Sequence, residues 1–212
     1  MEDILELYVG DVKTVIEAGA CDCMDSVAMS VTYPEAHIYS FECNPETIPL
    51  CKEAIKFSPR ITLTESAVSD TDGELTFYPI DTKLTVTTHA NGNPGASSLF
   101  KAGNYPIEKY VQKEIKVQST RLDTFMAQKE IKEVDLLWLD AQGGELRVLQ
   151  GLGDRLNNIK VIKTEVLFKE QYIGAPLFEE VEAWLDEHGF RFVRFLEKYE
   201  WFGDAIFVNK NL

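Results

Sequence analysis

The sequence is short of positive charge. Against 35 Asp and Glu stand 21 Lys and Arg and three His, for a formal charge of −14. A field of that sign repels phosphate backbones and anionic lipid surfaces, so neither a nucleic-acid substrate nor a membrane-surface partner is expected. Long apolar runs are also missing, since nothing approaches the ~18 residues that cross a bilayer. The first eight residues carry Glu2, Asp3 and Glu6 where a secretion signal needs a basic start and an apolar stretch. Cysteine is scarce and crowded: Cys21, Cys23, Cys43 and Cys51 all fall in the first quarter. A disulfide framework would be spread over the fold. The single residue between Cys21 and Cys23 is too tight for structural zinc spacing, and no His follows at finger spacing. The expectation is reduced thiols in a cytoplasmic protein, with no metal site. Repeats, low-complexity tracts and linkers are absent, which argues for one domain over 1–212.

What is present is enough to build a core: 45% apolar residues, with 12 Phe, 8 Tyr and 3 Trp. Short β-rich runs alternate with helical patterns, the signature of βαβ units on a parallel sheet. Strands are expected at 13–18, 37–42, 61–68, 114–119, 134–140 and 160–168, and an edge-type strand at 75–80, where Pro79 cannot donate to a ladder. Helices are expected at 24–33, at 45–57 with Asn44 as cap, at 144–150 and at 177–188. Residues 190–196 and 204–209 read as a hairpin turning at Gly203. The fold class is therefore α/β, a doubly wound and mostly parallel sheet with a C-terminal antiparallel hairpin. Residues 81–113 are rich in Thr, Asn, Gly and Ser and form a loop too long for a mere connector. Covering an acceptor site is the role expected of it.

Open α/β sheets bind ligands at the carboxyl ends of their strands. Three such ends carry suggestive residues. In Glu17-Ala18-Gly19-Ala20-Cys21-Asp22-Cys23 an acidic residue and a glycine stand where a strand turns into a helix. Glu42, 23 residues after Gly19 in Phe41-Glu42-Cys43-Asn44-Pro45, is placed to take both hydroxyls of a ribose. Trp138-Leu139-Asp140-Ala141-Gln142-Gly143-Gly144-Glu145 puts two carboxylates and an amide at the central strand's tip. The first two motifs suit a dinucleotide or S-adenosylmethionine. Cys21 and Cys23 stand where a pyrophosphate needs bare backbone, which weighs against a nicotinamide cofactor and an oxidoreductase. A nucleoside-binding module without catalysis is the other alternative.

At these residues the chain resembles the FkbM-type methyltransferases. The likeness runs in order from about residue 13 to residue 209. It takes in VIEAGA, FECNP, SAVSDTDGELTFY (66–78), GASSLF (95–100), STRLD (119–123), VDLLWLDAQGGELRVLQG (134–151), KTEVLF (163–168) and GDAIFVN (203–209). The chain departs from the family where Asn and then Gly usually stand, at Cys21 and Cys23. The resemblance implies a class I methyltransferase fold of seven core strands that uses S-adenosyl-L-methionine. It implies methylation of a hydroxyl on a carbohydrate or small metabolite. It also implies that Glu17, Gly19 and Ala20 line the methionine end, that Glu42 with Cys43 holds the ribose, and that Ser66, Ala67 and Val68 border the adenine. Asp140, Gln142 and Glu145 would face the reaction centre, with Ser97 and Ser98 of the central loop on the acceptor.

A hydroxyl acceptor must lose its proton during transfer. Asp140, Glu165 and His89 are the candidate bases, His89 because it lies in the covering loop. A divalent metal held by Asp140 and Glu165 would be the alternative activator, but no third ligand is evident.

Overall fold

The computed structural model describes residues 1–212. Ten strands and six α-helices alternate along the chain, and seven strands form the main sheet. Strand β1 (Thr14–Ala18) lies inside the sheet, and its residues Val15 to Ala18 are buried. It pairs in parallel with β2 (His37–Phe41) on one side and β7 (Val134–Leu139) on the other. Beyond β2 lies β3 (Ile61–Thr64), and beyond β7 lies β8 (Ile159–Leu167), both parallel to their neighbours. Strand β10 (Phe202–Asn209) runs antiparallel to β8 and β9 (Phe190–Lys198) closes the edge, giving the order β3-β2-β1-β7-β8-β10-β9. This is the doubly wound, mostly parallel sheet with an antiparallel hairpin that the sequence pattern implied, with the seven strands that the resemblance implied.

Helices cover both faces. Ile4 and Leu5 of α1 (Glu2–Tyr8) and Met29 of α2 (Met24–Thr32) pack on one face against Val15, Leu136 and Val161. Helix α3 (Ile48–Ile55) flanks them on the same side through Ile55. On the other face lie Phe125 and Met126 of α4 (Leu122–Gln128), Val148 and Leu149 of α5 (Glu145–Gln150), and Val181 and Leu185 of α6 (Phe178–Glu187). Burial on both faces explains why β7, Asp135 aside, is apolar throughout. No helix is long and apolar enough to cross a membrane.

Five details differ from the expectation. The single strand over 61–68 is broken: Ser66 N donates to Thr64 O at 2.9 Å, turning the chain, and β4 (Ala67–Val68) joins another sheet. In that small sheet β6 (Ile115–Thr120) lies between β4 and β5 (Gly73–Phe77), an edge strand that begins and ends earlier than the expected 75–80 and stops before Pro79. Helix α3 starts at Ile48 rather than Pro45, because Asn44 accepts from Glu46 N at 3.0 Å and forms a tight turn first. Gly203 sits inside β10 and not in the hairpin turn. Helices α1 and α4, absent from the pattern reading, are each seven residues long.

Candidate active site

A cavity of about 350 Å³ opens at the carboxyl ends of β1, β2, β7 and β8. The tip of β1 is drawn tight. Gly19 has φ +91°, and a Cβ there would lie 1.8 Å from the Asp140 carbonyl oxygen, so only glycine lets the two strand tips meet. The turn continues through Cys21 (φ 50°) and Cys23 (φ 62°), two side chains in the left-handed region that favours glycine. Such positions cost about 1–2 kcal/mol each. They are held by Cys23 N donating to Ala20 O at 2.6 Å and by Cys21 N donating to Glu42 at 2.7 Å. All four cysteines are free thiols.

Glu42, at the end of β2, is 8% exposed. One oxygen accepts from Cys21 N; the other accepts from Cys43 N at 2.8 Å and Asn44 N at 2.6 Å. Burial pushes its carboxyl up, against the pull of those three amides. The amides fix its orientation and leave one lone-pair site open, on the oxygen that Cys21 N bonds. Ser66, Ala67 and Val68 form the adjacent wall with Phe41 and Phe77.

At the tip of β7, Gln142 (φ 50°) donates from Nε2 to Asp140 at 2.6 Å and to Glu165 of β8 at 2.9 Å. Its Oε1 accepts from the Tyr172 hydroxyl at 2.6 Å. Burial pushes the Asp140 carboxyl up, against the pull of the Lys163 ammonium. Burial also pushes Glu165 well above its ordinary range, and the Asp140 charge adds to the shift. Lys163 Nζ is paired with Asp204 at 2.7 Å.

Residues 81–113 close the opposite wall. They contain one short 3₁₀ turn, Pro94–Ala96, and fold back on themselves through the Val86–Lys109 pairing. Glu108 is buried there, accepting from Thr87 Oγ1 at 2.5 Å and Asn93 Nδ2 at 3.0 Å, with His89 Nε2 at 3.6 Å. Burial raises its carboxyl, and bonds from Thr87, Tyr110 and Asn93 outweigh that, leaving it below its ordinary range. Tyr105 and Tyr110 stand 6.1 Å apart by ring centre. The loop is stitched down by Ser98 Oγ donating to Gln142 O at 2.7 Å and by Ile80 N and Asn44 Nδ2 donating to Ser97 Oγ at 3.0 and 3.3 Å.

The cavity thus brings together Gly19, Glu42, Cys43, Ser66, Ala67, Val68, His89, Ser97, Asp140, Gln142 and Glu165. Glu17, Ala20, Ser98 and Glu145 lie off its wall. Glu17 follows from strand alternation: Ala18 faces the cavity, so Glu17 points back to α2, where Ser26 Oγ bonds it. Burial pushes its carboxyl up to about 7. Glu145 curls back to accept from Ala141 N at 2.8 Å and Gly143 N at 3.2 Å, bracing its own loop. Ser98 is spent on Gln142, and Ala20 packs with Cys23 and Cys51. Pattern reading missed Asn93, Tyr105, Glu108, Tyr110 and Gln171, which all line the cavity. The crowding of two Tyr and a Glu within 105–110 was the available signal; Gln171 had none. The site also passes a test for a polar ligand, because Gln171 Oε1 is buried without a hydrogen-bond partner.

Residues 17–192 match the model of the methyltransferase FkbM domain. The chain is 27% identical over 169 residues to the 2-O-methyltransferase NoeI of Sinorhizobium fredii, an alignment that takes in 76% of this chain and 65% of that one. It therefore spans just under two thirds of that relative. It is 28% identical over 207 residues to the 31-O-demethyl-FK506 methyltransferase FkbM of Streptomyces tacrolimicus, with 89% and 76% covered. Among solved structures, M. capricolum TrmK with S-adenosyl-homocysteine superposes with a TM-score of 0.53 at 12% identity, over 99% of this chain and 67% of that one. At that identity the likeness is one of fold.

Proposed function

The chain belongs to the FkbM methyltransferase family, and from that premise we propose that it transfers a methyl group from S-adenosyl-L-methionine to a hydroxyl of a glycan or small metabolite. The observation that carries this reading is Glu42, a buried carboxylate aimed by three backbone amides into the cavity that Gly19, Asp140 and Glu165 share. A carboxylate so fixed suits a ribose hydroxyl, which its open lone-pair site can accept from. Ser66, Ala67 and Val68 would border the adenine, and Gly19 with Asp140 the methionine end. S-adenosylmethionine, when bound, supplies a methyl group already activated by a positive sulfur. The protein's task is then alignment and removal of the acceptor's proton. Asp140, Glu165 and His89 all reach the cavity and are the bases to test; Glu17 and Glu145 act as braces behind it. Tyr105 and Tyr110 give the acceptor an apolar face, and Gln171 a polar contact. The formal charge of −14 favours a small or glycan acceptor over nucleic acid.

Calorimetry with S-adenosylhomocysteine tests the reading without knowledge of the acceptor. Binding by the wild type and its loss in Glu42→Ala support it; no binding by the wild type overturns it. Labelled S-adenosylmethionine screened against glycans and hydroxylated metabolites then identifies the acceptor.

A further inference from the structure

One amide group holds two carboxylates together at the heart of the cavity. Gln142 Nε2 reaches Asp140 Oδ1 at 2.6 Å and Glu165 Oε2 at 2.9 Å, which keeps those oxygens within about 5 Å of each other. The amide is not free to turn away, because Tyr172 bonds its oxygen and Ser98 bonds the Gln142 backbone carbonyl.

The surroundings do not balance the pair. The charges that act on it are Lys163 from β8, Asp204 from β10, Glu145 from α5, Asp25 from α2 and Glu17 from β1. The single cation, Lys163, is committed to Asp204 at 2.7 Å. A second, separate observation points the same way: Gln171 lines the same cavity, and its Oε1 is buried with no donor. Two close carboxylates and an unopposed carbonyl in a low-dielectric pocket call for a proton or for a positively charged ligand.

We propose that the Asp140–Gln142–Glu165 clasp is the receptor for the positive sulfur of the methyl donor, so that the protein holds the charged donor in preference to the uncharged thioether left after transfer. The inference rests on the methyltransferase reading above. Without a cation the pair shares a proton, and loading the donor expels it. On transfer the carbon–sulfur bond breaks, its electron pair stays on sulfur, and a new carbon–oxygen bond forms. The acceptor's hydroxyl proton then restores the one the clasp lost. The cavity thus returns to its empty protonation state as the product loses its charge and its grip.

Calorimetry on the full chain tests this with three ligands that share the adenosine and amino-acid groups. S-adenosylmethionine and sinefungin carry an extra positive charge near the reacting position, and S-adenosylhomocysteine does not. At pH 7.5 the two charged ligands are expected to bind at least tenfold tighter than the thioether. Comparison of phosphate and Tris buffers should show proton release, up to one per site, with the charged ligands only. At pH 5.5 the preference should shrink, because the clasp then yields its proton less readily. In Glu165→Gln the preference should fall below threefold and the proton release vanish. Equal or tighter binding of the thioether by the wild type at pH 7.5 overturns the inference and needs no variant. An unchanged ratio in Glu165→Gln overturns it as well. Binding by none of the three overturns the methyltransferase reading itself, and this inference with it.

Discussion

Replacing Gly19 by alanine tests how closely the tips of β1 and β7 are joined. The added methyl would lie 1.8 Å from the Asp140 carbonyl oxygen and 2.7 Å from its carbon, where ordinary contact begins at 3.4 Å. Neither partner is a flexible side chain, so the backbone must move by about 1.5 Å. That movement breaks the bonds from Asp140 N to Ala18 O at 3.0 Å and from Gly19 N to Phe41 O at 3.1 Å. Two lost hydrogen bonds cost about 1 kcal/mol each, overpacking about 1–3, and the positive φ about 1–2. The sum is about 4–7 kcal/mol, or a drop of roughly 8–28 °C in Tm for a chain of this size. Gly10→Ala is the control: its φ is +75° and its methyl meets nothing within 4 Å, so only the backbone cost of about 1 kcal/mol applies. Thermal unfolding compares the two, and calorimetry should show S-adenosylhomocysteine affinity at least 100-fold weaker in Gly19→Ala alone. Equal melting temperatures, or wild-type affinity in Gly19→Ala, would refute the steric argument.

Cys21→Gly should release left-handed strain and raise stability by roughly 0.5–1 kcal/mol, read from urea midpoints, because glycine adopts φ 50° without penalty. The Glu17 carboxyl, raised by burial to about 7, holds its proton in the folded state where the unfolded chain has lost it. Its contribution is therefore complete below about pH 4.5 and declines as pH rises through 7. Glu17→Gln should flatten that decline and stabilise the protein by roughly 2–4 kcal/mol at pH 8, measured by denaturant titration at stepped pH. Lys163→Met should cost about 3–5 kcal/mol at pH 7.5 by leaving Asp204, Asp140 and Glu165 without their buried cation. Lys163→Arg should recover part of that loss in the same titration.

The sheet was legible because β1 and β7, apart from Glu17 and Asp135, are apolar on both faces and belong in its interior. The C-terminal hairpin was legible because no helix fits between its strands. The break at Ser66 was not, since it depends on Ser66 bonding Gln118 O at 3.1 Å across 52 residues. Helix α4 begins with no side-chain cap, and its stability comes from Leu122, Phe125 and Met126 packing on the core. In the site, residues at strand tips were legible because the topology fixes where strands end. Their facing was less so: a shift of one residue on β1 separates Ala18 on the cavity wall from Glu17 behind it. The acceptor wall was hidden for a different reason. Thr87 meets Glu108, and Asn93 meets Tyr110, only because the 81–113 segment doubles back, and no local pattern encodes that pairing.

The insertion of β10 between β8 and β9 sets an order of assembly. Strand β9 pairs with β10 alone, so it has no ladder to join until β10, later in the chain, has docked on β8. Phe190, Phe192 and Phe195 are thus left to shelter against α6 and against one another until Ala205, Phe207 and their flanking residues slot in beside β8. Nascent molecules stalled at that stage carry an unzipped aromatic strand, the kind of exposed edge on which chaperones and neighbouring nascent chains act.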